Sequence, residues 1–247
     1  MTKNKAAFFD IDGTLFRNSL LIEHFLKLVE DGILDKKIWT DEIGPLYSKY
    51  ENRQGAYEDY LDKSALAYQK SMRGLDKKII DKYSQIVIEE NKNKVYNITK
   101  NAVNKHLEDG FLIFFISGSP DFLVGDFSKL YSATESISTI YEFDENNKFT
   151  GKVLPMWDGK SKLSAVTILK DKYDIDLNNS YAYGDTNGDI TMFQMVGNPH
   201  AINPSYELIE KLYEDEDLRK KSVINIERKD VNYSFKLNDL KVDFTKF

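Results

Sequence analysis

The stretch Phe8-Phe9-Asp10-Ile11-Asp12-Gly13-Thr14 constrains this chain more than any other. Ala6 to Phe9 are apolar or aromatic and free of turn formers, the pattern of a short buried strand. That strand runs into two acids one residue apart, and Gly13-Thr14 turns the chain at once. In an α/β sheet ligands bind just beyond the carboxyl ends of the strands, so both carboxylates fall where chemistry is done. Carboxylates this close raise each other's proton affinity unless a cation intervenes. Such a pair wants a metal, or a division of labour between a nucleophile and an acid/base. An idle, solvated acidic turn is the competing reading, and the rest of the chain decides between them.

With 247 residues the chain can bury a sizeable core, as one domain or as a domain carrying an insertion. Cysteine is absent, which removes disulfides and thiolate metal sites. His24, His106 and His200 lie too far apart for ligand spacing, which argues against zinc. Thr2-Lys3-Asn4-Lys5 leads into the first strand without a signal peptide, and the longest apolar run, Phe111 to Ile116, is too short to span a bilayer. A cytoplasmic protein with no membrane partner, monomeric or homodimeric, is expected. The formal charge of −6 discourages nucleic-acid binding, which needs a basic face. An acidic protein still binds phosphate where a metal and a few basic groups reverse the local field.

Beyond Thr14 the periodicity changes from strand to helix. Leu21, Ile22, Phe25, Leu28 and Val29 recur at helical spacing as far as Gly32. Trp39, Ile43, Leu46, Tyr47 and Tyr50 form a second helical stretch, interrupted at Gly44-Pro45. Tyr57, Leu61, Ala65, Tyr68 and Met72 form a third, ended by Gly74, and Ile79, Ile80, Tyr83, Ile86 and Val87 a fourth. No strand signal falls between Leu15 and Asn93. Residues 17–93 therefore read as a helical insertion beside a main sheet built from 1–16 and 94–247.

Strand–helix alternation then resumes. Thr99 to Asp109 reads as helix, and Phe111 to Ile116 as a fully buried strand that stops at Ser117-Gly118-Ser119-Pro120-Asp121. Ser119 suits a cap and Pro120 the first turn of the next helix, and a small-residue loop entering a helix N-terminus cradles anions. Residues 138–154 read as a β-hairpin around Asp144-Glu145-Asn146-Asn147. Asp158-Gly159-Lys160-Ser161 opens a helix to about Tyr173, with Leu163, Val166, Thr167 and Lys170 on successive turns. Leu154 stands where a nucleotide P-loop needs its first glycine, so the Gly-Lys-Ser triplet is not that motif. A lysine at a helix start opposes the helix dipole; a bound anion would explain Lys160, and a plain exposed lysine is the competing reading. Tyr181-Ala182-Tyr183 is a further strand, ending in Gly184-Asp185-Thr186-Asn187-Gly188-Asp189 with a second acidic pair. A short helix from Ile190, the strand His200-Ala201-Ile202, a helix to about Tyr213 and two extra strands (Val223 to Ile226, Val231 to Leu237) complete the chain.

Four signals thus sit at four strand-to-loop junctions in the order Asp10/Asp12, Ser117, Lys160, Asp185/Asp189. In these motifs and their order the chain resembles the haloacid dehalogenase superfamily. The helical insertion after the first motif is similar to the cap of subfamily IB, the phosphoserine-phosphatase-like hydrolases. So are Ile116-Ser117-Gly118-Ser119-Pro120 and the run from Tyr183-Gly184-Asp185 through Gly197-Asn198-Pro199-His200-Ala201-Ile202-Asn203-Pro204. The resemblance covers about Lys5 to Tyr213. It implies an α/β fold: a doubly wound, Rossmann-like, mostly parallel sheet, with the helical cap inserted after the first strand and an extra C-terminal β segment.

The activity so implied is a phosphatase acting on a small phosphorylated metabolite through an aspartyl phosphate. Phosphate monoesters repel anionic nucleophiles, so a carboxylate attacks only where a cation neutralises the phosphoryl oxygens. Asp10 is then the nucleophile, and Asp12 protonates the leaving alcohol and activates water. Asp185, Asp10 and the main-chain carbonyl of Asp12 would hold Mg²⁺, which prefers oxygen ligands, with Asp189 supporting that shell. Ser117, backbone donors near Gly118 and Lys160 would hold the phosphoryl oxygens. Phosphoserine phosphatase proper and a phosphomutase are the near alternatives, and a receiver-like phosphoacceptor domain is one from another class. Receiver domains are about half this length and place the accepting aspartate on a later strand, whereas here both acids follow the first. Where phosphoserine phosphatases carry a substrate-binding glutamate this chain has Ser19, with Glu23 one helical turn on, so L-phosphoserine is not expected to be the best substrate by a wide margin. Arg53 is a loosely aligned cap arginine. Tyr47, Tyr50, Tyr57, Tyr60 and Tyr68 offer a cation pocket, although helical spacing favours core packing.

Overall fold

Ala6–Phe9 forms strand β1, and its alternation sets both faces of the molecule. Ala6 and Phe8 enter one apolar cluster and Ala7 and Phe9 another, because successive strand residues face opposite sides. The computed structural model describes residues 3–55 and 57–244; the side chains of Tyr57 and Glu58 lie outside the described residues. After β1 come four helices, α1 (Leu20–Glu30), α2 (Gly44–Glu51), α3 (Tyr57–Met72) and α4 (Lys77–Asn91), with a π-helical turn at Ile38–Ile43 leading directly into α2. Then follow α5 (Asn97–Glu108), β2 (Leu112–Pro120), α6 (Asp121–Lys129), β3 (Glu135–Phe143) and β4 (Phe149–Leu154). The remainder is α7 (Gly159–Lys172), β5 (Tyr181–Gly184), α8 (Ile190–Met195), β6 (Asn198–Ile202), α9 (Tyr206–Glu214), α10 (Glu216–Lys221), β7 (Val223–Arg228) and β8 (Val231–Lys236).

The strands form one sheet in the order β4-β3-β2-β1-β5-β6-β7-β8. All pairs from β3 to β7 are parallel, and β4 and β8 close the two edges antiparallel. The fold is therefore a doubly wound, mostly parallel α/β sheet. Helices α7 to α10 cover the Phe8 face, and α5 and α6 cover the Phe9 face. Helix α7 is rotated from the stripe expected for it. Its buried residues are Lys162, Ala165, Val166 and Leu169, while Leu163 is 42 % exposed. A second set at the same helical spacing carries the contact, and it includes a lysine that no hydrophobicity pattern marks. Helix α6 is capped by Pro120 rather than Ser119, whose hydroxyl is engaged elsewhere.

Helices α1, α3 and α4 build a third apolar cluster that also takes in Tyr141 and Phe149 of the β3–β4 hairpin. The hairpin is stitched to the helices: Gly74 N–H donates to Phe149 O at 2.8 Å, Phe149 N–H to Leu75 O at 2.9 Å, and Gln69 Nε2 to Gly151 O at 2.8 Å. The helical insertion is thereby tied to the sheet by main-chain bonds as well as apolar contact.

His24 is fully buried in that cluster, with Nδ1 2.7 Å from the Tyr68 hydroxyl and Nε2 3.3 Å from Ile80 O. Burial lowers its pKa from 6.5 to about 4. The unfolded chain therefore binds more protons than the native one between these limits. Stability from His24 is complete above pH 6.5 and is lost as the pH falls to about 4. The difference in urea-unfolding free energy between wild type and His24→Gln should be constant above pH 6.5 and shrink by about 3 kcal/mol on going down to pH 4. A difference that ignores pH would show that the folded imidazole takes its proton freely.

Candidate active site

Strand order reverses at β1, with β2 and β3 following on one side and β5 to β7 on the other. The crevice at such a reversal opens at the carboxyl ends of the strands. Asp10 enters it directly after β1, Ser117 and Gly118 come from the end of β2, and Asp185 and Asp189 follow β5. Gly13 turns the chain with φ +76°, and a β-carbon there would overlap the Asp185 carboxylate. Thr14 Oγ1 donates to Asp185 Oδ1 at 2.9 Å, which fixes that carboxylate against the first turn.

Asp10, Asp185 and Asp189 are all buried, and each brings an oxygen within 4.8 Å of the other two. The buried ammonium that meets them belongs to Lys162, 2.8 Å from Asp10 Oδ1 and 2.5 Å from Asp189 Oδ1. Lys160, the lysine expected here, is exposed on the first turn of α7. The correction follows from helix geometry: two residues on, the chain has turned about 200°, from solvent to sheet. The helical spacing of Lys162 with Ala165, Val166 and Leu169 was the signal available in the sequence. Burial alone would lower the Lys162 pKa; Asp10 and Asp189 more than reverse this and raise it.

Burial pushes the Asp10 carboxyl up, Lys162 draws it back, and Asp189 and Asp12 add to the rise, leaving it at about 7. Burial, then the charges of Asp10 and Asp189, hold Asp185 well above the usual carboxylate range. Asp189 spends Oδ1 on Lys162 and Oδ2 on the N–H groups of Asp185 and Thr186, at 3.0 and 3.1 Å. It therefore organises the Asp185 turn. One ammonium among these carboxylates leaves a deficit of positive charge, and the open donors are hard oxygens. The set fits a divalent cation, which would return the acids to their ionised forms.

The Asp12 side chain points away from this cluster. Its Oδ1 accepts from Leu20 N–H at 2.7 Å and its Oδ2 from the Ser119 hydroxyl at 2.5 Å. Burial raises its pKa, the Ser119 and Leu20 bonds oppose the rise, and it settles at about 6. Two aspartates of one turn thus hold different environments, one gripped by an ammonium and one by neutral donors. Ser119 emerges as a site residue that the sequence offered only as a helix cap. Ser117 is fully buried, and its Oγ accepts from Ser119 N–H at 3.1 Å.

Two cavities meet at the N-terminus of α1 and share Ser19 and Ile22. One, of about 660 Å³, is lined by Asp10, Asp12, Gly118, Ser119 and Lys162, with α3 as its far wall. The other, of about 770 Å³, is lined by Gly13 and Asp185 together with Arg17, Glu23, Arg53 and several aromatic rings. Tyr47, Tyr50 and Tyr60 border this second cavity, whereas Tyr68 is fully buried core.

The sequence pattern of haloacid dehalogenase-like hydrolases matches residues 7–194, from β1 into α8. The chain belongs to the haloacid dehalogenase-like hydrolases. The hydrolase is 27 % identical over 213 residues to "Phosphoserine phosphatase SerB1" of Mycobacterium tuberculosis, covering 82 % of this chain and 66 % of that protein. It is 24 % identical over 208 residues to the "Inhibition of morphological differentiation protein" of Streptomyces azureus, covering 82 % and 73 %. It thus spans 66 % to 73 % of the length of these two relatives. A protein of unknown function from Bordetella pertussis Tohama I superposes with a TM-score of 0.68 at 19 % identity, covering 86 % of this chain and 96 % of that one. A phosphoserine phosphatase bearing an analogue of its phospho-aspartyl intermediate superposes at 0.61 and 19 % identity, covering 93 % and 96 %. At these identities the structural likeness speaks for the fold.

Proposed function

We propose that this hydrolase is a metal-dependent phosphatase that passes the phosphoryl group of a small phosphorylated metabolite to Asp10 and then to water. One observation carries the reading: Asp10 and Asp12 stand two residues apart, yet Asp10 meets Lys162 while Asp12 is held by Ser119 and Leu20. A nucleophile must be ionised and aimed, and a general acid must keep access to a proton near neutral pH. An Asp12 pKa of about 6 suits the second task.

In the first step an Asp10 oxygen attacks phosphorus, the bond to the leaving oxygen breaks, and Asp12 gives that oxygen its proton. In the second, the Asp12 carboxylate takes a proton from water, whose oxygen attacks the phosphorus of the aspartyl phosphate and frees Asp10. Lys162 orients Asp10 and offers its remaining hydrogen to the phosphoryl oxygens. Ser117, which accepts from Ser119 N–H, keeps its own O–H to donate, beside the backbone at Gly118. Asp10, Asp185 and the main-chain carbonyl of Asp12 would hold Mg²⁺, with Asp189 bracing the Asp185 turn. When bound, the ion supplies the positive charge that lets a carboxylate approach a phosphate. Residues 17–93 act as a cap over the crevice. The net charge of −6 argues against a nucleic-acid substrate and supports a small phosphorylated molecule.

Phosphate release from p-nitrophenyl phosphate tests this reading. Activity should vanish in EDTA and return with excess Mg²⁺. Full turnover in chelator would rule out the metal assignment.

A further inference from the structure

The cavity that holds the nucleophile has an apolar far wall. Asp10, Asp12 and Lys162 all line the 660 Å³ cavity, and Asp12 points to Ser119, which lines it too. The leaving oxygen must face Asp12, so the leaving group lies in this cavity and not in the one beyond α1. Opposite the carboxylates stand Leu61, Ala65 and Leu66 of α3, with Ile190 and Trp157 closing the sides. Leu66 is 57 % and Trp157 45 % exposed, large apolar surface turned to water beside a polar centre. Trp157 lies close to two glycines: β-carbons at Gly118 and Gly188 would stand 2.9 Å from its Cβ and 2.6 Å from its carbonyl oxygen. The two glycines let the Trp157 main chain lie directly over the phosphoryl cradle.

Charge in the same cavity works against an anionic leaving group. Lys162 is committed to Asp10 and Asp189, and the other ammonium, Lys211, is solvent-exposed on α9. Asp62 of α3 faces the cavity and would repel a substrate carboxylate. Arg17 and Arg53 line the other cavity. The α3 amide, Gln69, already donates to Gly151 O at 2.8 Å.

Resting on the phosphatase reading above, we propose that the substrate class is a phosphomonoester of an apolar alcohol that carries no anionic group, its chain laid between α3 and Trp157. Burial of a methylene in such a slot is worth a factor of about three to four in affinity. Phosphate release is measured for n-alkyl monophosphates from ethyl to octyl, with L-phosphoserine and p-nitrophenyl phosphate alongside. kcat/KM should climb about threefold per methylene, at least a hundredfold across the series, with L-phosphoserine no better than ethyl phosphate. Leu66→Asn should flatten the climb, and Leu154→Asn, an exposed leucine outside the cavity, should leave it unchanged. A series that turns over with no dependence on chain length, or a preference for L-phosphoserine over octyl phosphate, overturns the inference while the phosphatase reading stands. No phosphate from any compound, the aryl phosphate included, overturns both.

Discussion

Asp10→Asn should give neither turnover nor a phosphoenzyme, whereas Asp12→Asn should react once with an aryl phosphate and then stall. The difference rests on what each carboxylate touches. Asp10 meets the Lys162 ammonium, and its amide analogue has no charge to attack phosphorus with. Asp12 is tied to Ser119 and Leu20, and in the proposed mechanism it moves protons without itself bonding to phosphorus. An alkyl phosphate needs that proton twice, once on the leaving oxygen and once from water, so its turnover should fall by about 10²–10⁴-fold or more. A phenolate leaves with little help, and phosphorylation of Asp10 survives. Rapid-quench kinetics should then show one equivalent of phenol per site, and intact-protein mass one phosphate on Asp10. Steady turnover at the wild-type rate by the Asp12 variant, or a burst from the Asp10 variant, would mean the two roles are reversed.

Lys162→Met should cost about 10³-fold in kcat/KM, while Lys160→Met stays within about twofold of wild type. Of these two lysines Lys162 is the one that meets the carboxylates, at 2.8 Å from Asp10 and 2.5 Å from Asp189. Methionine keeps most of the buried stem and deletes the charge, leaving the two carboxylates without their partner. Breaking a buried pair in this way costs about 3–5 kcal/mol where the charges stay ionised. The melting temperature should therefore drop with the activity, and near-ultraviolet circular dichroism below the melt tells a folded, inactive enzyme from an unfolded one. Equal losses in the two lysine variants would show that exposed Lys160 takes part, and would undo the placement of the phosphate cradle.

The strand ends were legible because they are contiguous. Phe8-Phe9-Asp10 and Tyr183-Gly184-Asp185 each combine a buried strand with the acid that follows it, and a strand's direction carries its last residue to the crevice whatever else the chain does. The same locality made the helical run between β1 and β2 and the two C-terminal strands readable as patterns of period. Helix rotation was not local in this sense. Lys160 and Lys162 are equally charged and equally near a helix start, and only the packing of Ala165, Val166 and Leu169 on the sheet turns one outward and the other in.

From the sequence alone came an α/β chain with acids at two strand ends, a helical insertion, and a function built on phosphate. The tertiary structure decided which lysine neutralises Asp10, that Ser119 holds Asp12 instead of capping α6, and that the β3–β4 hairpin stitches the helical insertion to the sheet. It also divided the space under the helices into a cavity where Asp10 and Asp12 share the lining with apolar side chains of α3, and a charged aromatic one. Each of these depends on residues far apart in the chain meeting across an interface. Such meetings are set by how whole elements pack, which no short window of sequence encodes.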